Sequence, residues 1–174
     1  MVLDGRSRTA LLALDRMGIE KLTWALAGDG LVFGTSAEDV ARAPEVKAGV
    51  RQQALYDYLL QHAIPAPHTV FERVSKLRPG TAAIFSNGRL TIERFWQPQF
   101  VESAGEPFEN LKAGLHASLK AAVATADPQR GRSGAFLSGG LDSSTVAGVL
   151  SKQLGPATPT FSIGFGVESY DELA

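Results

Sequence analysis

An apolar stretch, Ala135-Phe136-Leu137, runs without a break into Ser138-Gly139-Gly140-Leu141-Asp142-Ser143-Ser144, and a segment with helical spacing of its apolar residues follows over 144–154. Small polar residues are poor core material, so their place directly behind a strand-like run needs a physical reason. A parallel strand that enters a tight glycine loop and then a helix forms an anion site. The helix start presents unsatisfied backbone N–H groups and a partial positive charge. Gly139 and Gly140 can adopt angles that other residues resist, and they carry no Cβ to block a phosphate. Ser138, Ser143 and Ser144 add hydroxyl donors. Asp142 is the odd member, because a carboxylate repels phosphate unless a cation lies between them. Mg²⁺ held by one or two carboxylates together with phosphate oxygens resolves that conflict. No Gly-Lys-Ser/Thr closes the loop, so it is not a Walker A sequence. The plainer reading is a glycine turn in which Ser143 or Ser144 caps the helix.

The surroundings predict a particular architecture for this half. Residues 132–137 read as one strand and 158–165 as another, with Gly155 a natural C-cap for the helix between them. Strand, helix, strand is a βαβ unit of a parallel sheet, hence α/β. Ahead of it, Phe108, Leu111, Leu115, Leu119, Ala122 and Val123 recur at helical spacing and predict a long amphipathic helix. The end of the chain, 168–174, reads as the opening of a further helix.

Residues 1–97 have a different grammar. Over 21–36 two apolar runs are joined by Gly28-Asp29-Gly30, and over 82–96 alternating apolar positions flank Asn87-Gly88, both good hairpin signals. Residues 8–16 add a short apolar run. Over 52–64, Leu55, Tyr58, Leu59 and Ala63 share one helical face until Pro65 and Pro67 stop it. This part reads as α+β. A proline- and glycine-bearing linker, opening at Gln97 and placed at 98–107, separates it from the α/β part at 108–174. Only three residues precede the Asp4-Gly5 turn, too few for the strand that such a hairpin should pair with, and the second half supplies only two strands. Both ends are therefore expected to be cut.

Composition removes several function classes. The formal net charge is -1 and no like-charge block occurs, so neither a nucleic-acid tail nor a polybasic membrane patch is expected. No apolar stretch approaches the roughly 20 residues of a membrane span, and a signal peptide's layout is missing, which makes cytoplasm the expected location. There is no cysteine, so there is no disulfide, thiolate metal site or cysteine nucleophile in these residues. His62, His68 and His116 are scattered without ligand spacing.

The segment SGGLDSS at 138–144 resembles the PP-loop of ATP pyrophosphatases, which split ATP between the α- and β-phosphates. GMP and NAD synthetases carry similar loops, so the loop speaks to chemistry more than to substrate. The rest of the chain narrows the resemblance. Residues 12–25, LALDRMGIEKLTWA, resemble a segment usually written DR-x-G-x-K-P-L-Y-Y in asparagine synthetases. Residues 54–80 resemble the stretch joining glutaminase to synthetase, and 160–174 the stretch after the PP-loop helix. In order and extent the sequence is similar to an internal piece of a glutamine-dependent asparagine synthetase.

That resemblance implies the C-terminal half of a class II glutamine amidotransferase domain at 1–97, a partial Ntn-type sandwich. It implies the N-terminal part of a PP-loop ATP pyrophosphatase domain at 108–174. It implies ATP and Mg²⁺ as cofactors, with Asp142 the metal residue. Nucleotide contacts are implied at Leu137, Ser138, Gly139, Gly140, Leu141, Asp142, Ser143, Ser144 and Ile163, the backbone of Leu137 and Ile163 meeting adenine. The implied small-molecule substrates are ATP, glutamine and aspartate or a similar acid, without nucleic acid or membrane, and a homodimer stays open for the full-length protein. The implied reaction adenylates the acid with release of pyrophosphate, and glutamine-derived ammonia then displaces AMP. No catalytic residue is assigned within these residues, and the chain alone is expected to release no glutamate and form no amide. Alternatives are a β-lactam-synthetase-like enzyme, a glycan- or peptide-tailoring amidotransferase, or an inactive nucleotide-binding scaffold. Two positions depart from the family pattern: Lys21 stands where proline is frequent and Ser36 where glutamate is frequent. Arg16 is expected either to pair with an acid or to lie near the glutaminase site.

Overall fold

The computed structural model describes residues 1–102, 105–126 and 133–164. The chain is a mixed α/β protein that forms two compact units, Met1–Phe100 and Val101–Ala174. The expected helix opening at 168–174 and the strand ends at Arg132 and Phe165 lie outside the described residues.

The first unit holds two antiparallel sheets. Strands β1 (Val2–Asp4), β2 (Thr9–Ala13), β6 (Thr81–Ser86) and β7 (Arg89–Arg94) form one sheet in the order β1-β2-β6-β7. Strands β3 (Thr23–Ala27), β4 (Gly30–Gly34) and β5 (Ser75–Lys76) form the other in the order β4-β3-β5. Both expected hairpins are present. Asn87 and Gly88 have φ of 51° and 74°, the pattern of a type I′ turn that matches the strands' twist. Gly28 alone of its pair has positive φ, 58°, as a type II′ turn requires.

Alternation then decides what each face buries. From β2 and β6, Leu12 and Ala83 point inward and meet Leu31 and Phe33 of β4, with Leu14, Leu77 and Leu90 completing the cluster. The opposite face of the second sheet carries Ala25 and Val32, which pack with Val40, Val46 and Val74. Val40 comes from the short helix α1 (Ala37–Arg42), whose N-cap Ser36 accepts the Asp39 N–H.

Two expectations need correction here. Val2–Asp4 does pair with β2, in the register Val2 to Leu11 and Asp4 to Thr9. Three residues suffice because the Asp4 carboxylate holds the turn, accepting from the Arg6 N–H at 2.9 Å and the Ser7 hydroxyl at 2.6 Å. Helix α2 spans Gln52–Gln61 and ends at His62 in the left-handed region, ahead of Pro65. Its only buried residue is Ala54, whereas Leu55, Tyr58 and Leu59 are exposed. Periodicity correctly groups side chains on a face, but it does not say whether anything packs there.

The second unit contains α3 (Phe108–Ala126), β8 (Ala135–Phe136), α4 (Leu141–Leu154) and β9 (Thr160–Phe161). Strands β8 and β9 pair in parallel, so the strand–helix–strand unit is present. Its core is Val123, Ala135, Ala147 and Leu150, with Leu137, Val149 and Leu154 against them. Only the C-terminal part of the stripe on α3 is covered: Val123 is buried, while Phe108, Leu111 and Leu115 are exposed. A Cβ on Gly134 would stand 2.7 Å from the Phe161 ring and 2.9 Å from the Pro159 carbonyl oxygen, so a glycine lets the two strands close.

Candidate functional site

Strand β8 feeds Ser138-Gly139-Gly140 at the start of α4. The strand end is firmly held: the Leu137 N–H donates to Phe161 O at 2.9 Å, and the Ser162 hydroxyl donates to Leu137 O at 2.6 Å. Gly139 then takes φ of 75°, the left-handed region that glycine enters without steric cost. Gly140 is the N-cap, in extended conformation, and its carbonyl accepts the Ser144 N–H at 3.1 Å. The amides of Leu141, Asp142 and Ser143 therefore precede the intrahelical ladder, and no side chain caps the helix.

This corrects the helix-cap reading of Ser143 and Ser144. The helix begins at Leu141, not at Ser144, so both serines lie inside its first turn. Ser143 instead braces the loop from within. Its hydroxyl accepts the Ser138 N–H at 3.2 Å, lies 3.0 Å from Ser138 Oγ and donates to Gly140 O at 3.1 Å. A hydroxyl has one proton and two lone pairs, so this arrangement uses all three and makes Ser138 Oγ the donor in the serine pair. The result is a loop with a preset shape and exposed amides.

Of the residues singled out in the sequence, Ser138, Gly139, Gly140, Leu141, Asp142, Ser143 and Ser144 are contiguous in this turn. Leu137 sits at the strand end and Ile163 just past β9, the strand beside it. Leu137 already spends its N–H in the ladder, which leaves a carbonyl lone pair for any further partner. The Ile163 side chain is exposed. Asp142 is exposed in the first turn and forms no ion pair among the described residues. A carboxylate there also complements the helix dipole. No group of three metal-ligating side chains occurs among the described residues. A single carboxylate fits a magnesium ion whose other ligands are phosphate oxygens and water, and does not fit an all-protein cage.

Asp142 and Ser143 also line a cavity of about 720 Å³ between α3, β8 and α4, with Phe136, Val146 and Leu150 on its apolar walls. A flat apolar group could be accommodated beside the phosphate-ready turn.

In the first unit, Arg16 forms no ion pair among the described residues; it is exposed and lines a cleft with Arg78, Arg94 and Trp96. The residue that organises this segment is its neighbour, Asp15. The Asp15 carboxylate accepts the N–H groups of Met17 at 2.9 Å, Ile19 at 3.1 Å and Glu20 at 3.3 Å. The bond from Ile19 does most to hold its carboxyl below the ordinary value, and partial desolvation opposes it. The Asp15 carbonyl accepts from Gly80 N–H at 3.0 Å. An aspartate two to five residues ahead of free amides at a glycine turn was the available signal.

Comparisons with known proteins agree with this arrangement. Residues 1–96 match the glutamine amidotransferase domain family, and residues 114–174 match the asparagine synthase family. Asparagine synthetase (glutamine-hydrolyzing) 3 of Bacillus subtilis is 27% identical over 94% of this chain and 27% of its own length. Asparagine synthetase (glutamine-hydrolyzing) 1 of the same organism is 27% identical over 92% of the chain and 25% of its own length. A putative asparagine synthetase (glutamine-hydrolyzing) 2 of Methanocaldococcus jannaschii is 27% identical over 98% of the chain and 34% of its own length. The chain thus spans a quarter to a third of the length of these relatives. No helix among the described residues is long and apolar enough to cross a membrane.

Proposed function

The chain belongs to the glutamine amidotransferase domain family, and on that premise we propose that it is part of an ATP-dependent amidotransferase of the asparagine synthetase type. The observation that carries the proposal is the Ser138–Ser144 turn: a parallel strand, a glycine at positive φ and three helix-start amides with no side-chain cap. In this reading the two antiparallel sheets of the first unit belong to an Ntn-type amidotransferase sandwich. Strand β8, helix α4 and strand β9 open a PP-loop ATP pyrophosphatase domain.

The chemistry proposed for the whole protein has two stages. A carboxylate oxygen of the acceptor acid, aspartate or a close analogue, attacks the α-phosphorus of ATP and expels pyrophosphate. Ammonia from glutamine then attacks the acyl carbon and expels AMP, forming the amide. Adenylation is needed because an unactivated carboxylate has no good leaving group.

This chain's residues act on the first stage. The amides of Leu141–Ser143 and the hydroxyl of Ser144 receive the departing pyrophosphate's charge, which grows in the transition state, while the Ser138 hydroxyl stays committed to Ser143. Gly139 and Gly140 let backbone donors approach closely. Ser143 keeps the turn in shape, so little reorganisation is needed when the charge arrives. Asp142 would hold magnesium, whose charge neutralises the triphosphate and allows a carboxylate to sit beside it. The cavity beside Phe136 and Val146, with the backbone around Leu137 and Ile163, suits the base of the nucleotide. A cytoplasmic location accompanies this reading, since ATP and glutamine are supplied there.

ATP–pyrophosphate exchange in the intact protein tests the proposal. Asp142→Ala is expected to abolish acid-dependent exchange, with Asp142→Asn nearly as low. Wild-type exchange in both variants at saturating magnesium would remove the turn from the reaction.

A further inference from the structure

The first unit contains a second polar cavity, of about 640 Å³, remote in sequence from the glycine turn. Its walls carry Lys21, Lys76, Thr35, Ser36, Thr69 and Glu20. Lys76 comes from the two-residue strand β5 and is half-buried. Its ammonium donates to the Ile64 carbonyl, which leaves two N–H bonds free to point elsewhere. Among the described residues neither Lys76 nor Lys21 forms an ion pair.

The electrostatics of the pair are unusual for a wall of this kind. Burial pushes the Lys76 ammonium below its ordinary value, and the positive charge of Lys21 pushes it the same way. Glu20 lines the cavity but is not among the groups acting on Lys76. Lys21 and Lys76 therefore face one space that Glu20 also lines, yet neither lysine has a carboxylate within ion-pair distance among the described residues, an arrangement that an anion would relieve.

We propose that the cavity between Lys21, Lys76 and the Thr35-Ser36 hydroxyls binds a phosphate group, either inorganic phosphate or the head of a small phosphate monoester. Lysines are point charges without the planar fork that suits a carboxylate, and two of them match a dianion. The hydroxyls of Thr35 and Ser36 can complete the tetrahedral acceptor's hydrogen bonds. The hydroxyl of Thr69 is already committed to the carbonyls of Phe71 and Val74, so it shapes the wall instead.

The test is a titration of the isotope-labelled 174-residue chain with inorganic phosphate, followed by amide chemical shifts, with glycerol phosphate as a second arm. The amides of Thr35, Ser36 and Lys76 are expected to shift along one saturating curve. The amides of Ser138–Ser144 report separately on phosphate at the glycine turn, so success or failure there leaves this result intact. Ser36→Glu supplies an internal carboxylate and Lys21→Gln removes one charge; each should weaken the first-unit curve about tenfold or more while the fold persists. Saturation by phosphate but not by glycerol phosphate identifies the free ion, and saturation by both admits the ester. Absence of saturable shifts at Thr35, Ser36 and Lys76, or an unchanged curve in both variants, would overturn the proposal.

Discussion

Gly80 stands just before β6 and meets the chain just after β7 in the first unit's larger sheet, and Gly80→Ala is expected to be among the unit's most damaging single-methyl changes. The residue has φ of 65°, where an L-residue costs about 1 kcal/mol. An added Cβ would stand 2.3 Å from the Trp96 carbonyl oxygen and 3.1 Å from its carbon. Those are backbone atoms, so no rotamer change relieves the clash. The Trp96 peptide must move away, yet it is held there by the bonds that Gly80 O accepts from Phe95 N–H at 2.9 Å and Trp96 N–H at 3.1 Å. Weakening that pair costs about 1 kcal/mol per bond. The smaller entropy of an unfolded chain with alanine returns about 0.7 kcal/mol. The sum is a loss of about 2–3 kcal/mol, or on the order of 10–15 °C in Tm for a unit of this size. Trp24 and Trp96 are the chain's two tryptophans and both lie in this unit, so urea unfolding followed by tryptophan fluorescence reads it directly. Gly5→Ala is the control, because a Cβ there meets nothing within 4 Å, and it should change stability by less than about 0.5 kcal/mol. A Gly80→Ala midpoint indistinguishable from that of Gly5→Ala would refute the geometry.

The two serines of the first helical turn should separate. Ser143→Ala removes three loop hydrogen bonds, and should weaken Mg·ATP binding about tenfold by calorimetry, whereas Ser144→Ala should cost about threefold or less. Asp15 titrates below its ordinary value of 3.8, so its contribution is present above that value and is lost as the pH falls through the lower folded value. Asp15→Asn should therefore lower the urea midpoint near neutral pH, and its difference from the wild type should shrink as the pH falls through the lowered folded value. A loss that does not change with pH would mean that the side chain acts through shape alone. Gly134→Ala should destabilise the second unit, read by circular dichroism of α3 and α4, since its Cβ would enter the Phe161 ring and the Pro159 carbonyl.

Where local chemistry decides the structure, the sequence was a good guide. Asn87-Gly88 and Gly28-Asp29 specify their turns through backbone angles that few other residues adopt, and the alternation around them orients both sheets. The glycine turn after β8 was legible for the same reason. What depends on partners was not. Leu55, Tyr58 and Leu59 on α2 and Phe108, Leu111 and Leu115 on α3 have a regular apolar period, yet they stay exposed, because a stripe carries no information about what covers it. Ser143 reads as a cap, but capping depends on where the helix begins, and Gly140 starts it one turn earlier. Arg16 is the more conspicuous residue in the sequence, but Asp15 is the one that organises the segment. Its role comes from three backbone N–H groups, of Met17, Ile19 and Glu20, that converge on the carboxylate only when the chain turns at Gly18.

The most direct test of the account is the magnesium dependence of ATP binding at the Ser138–Ser144 turn. ATP is titrated into the 174-residue chain with and without magnesium, for the wild type and for Asp142→Asn. A bare carboxylate opposes the triphosphate and a metal-bridged one holds it, so the two conditions should move in opposite directions. Without magnesium, Asp142→Asn is expected to bind ATP more tightly than the wild type. With magnesium it should bind at least about tenfold more weakly. The same affinity in both proteins under both conditions would mean that Asp142 only complements the helix dipole and that the turn is not a site for a metal-bound triphosphate.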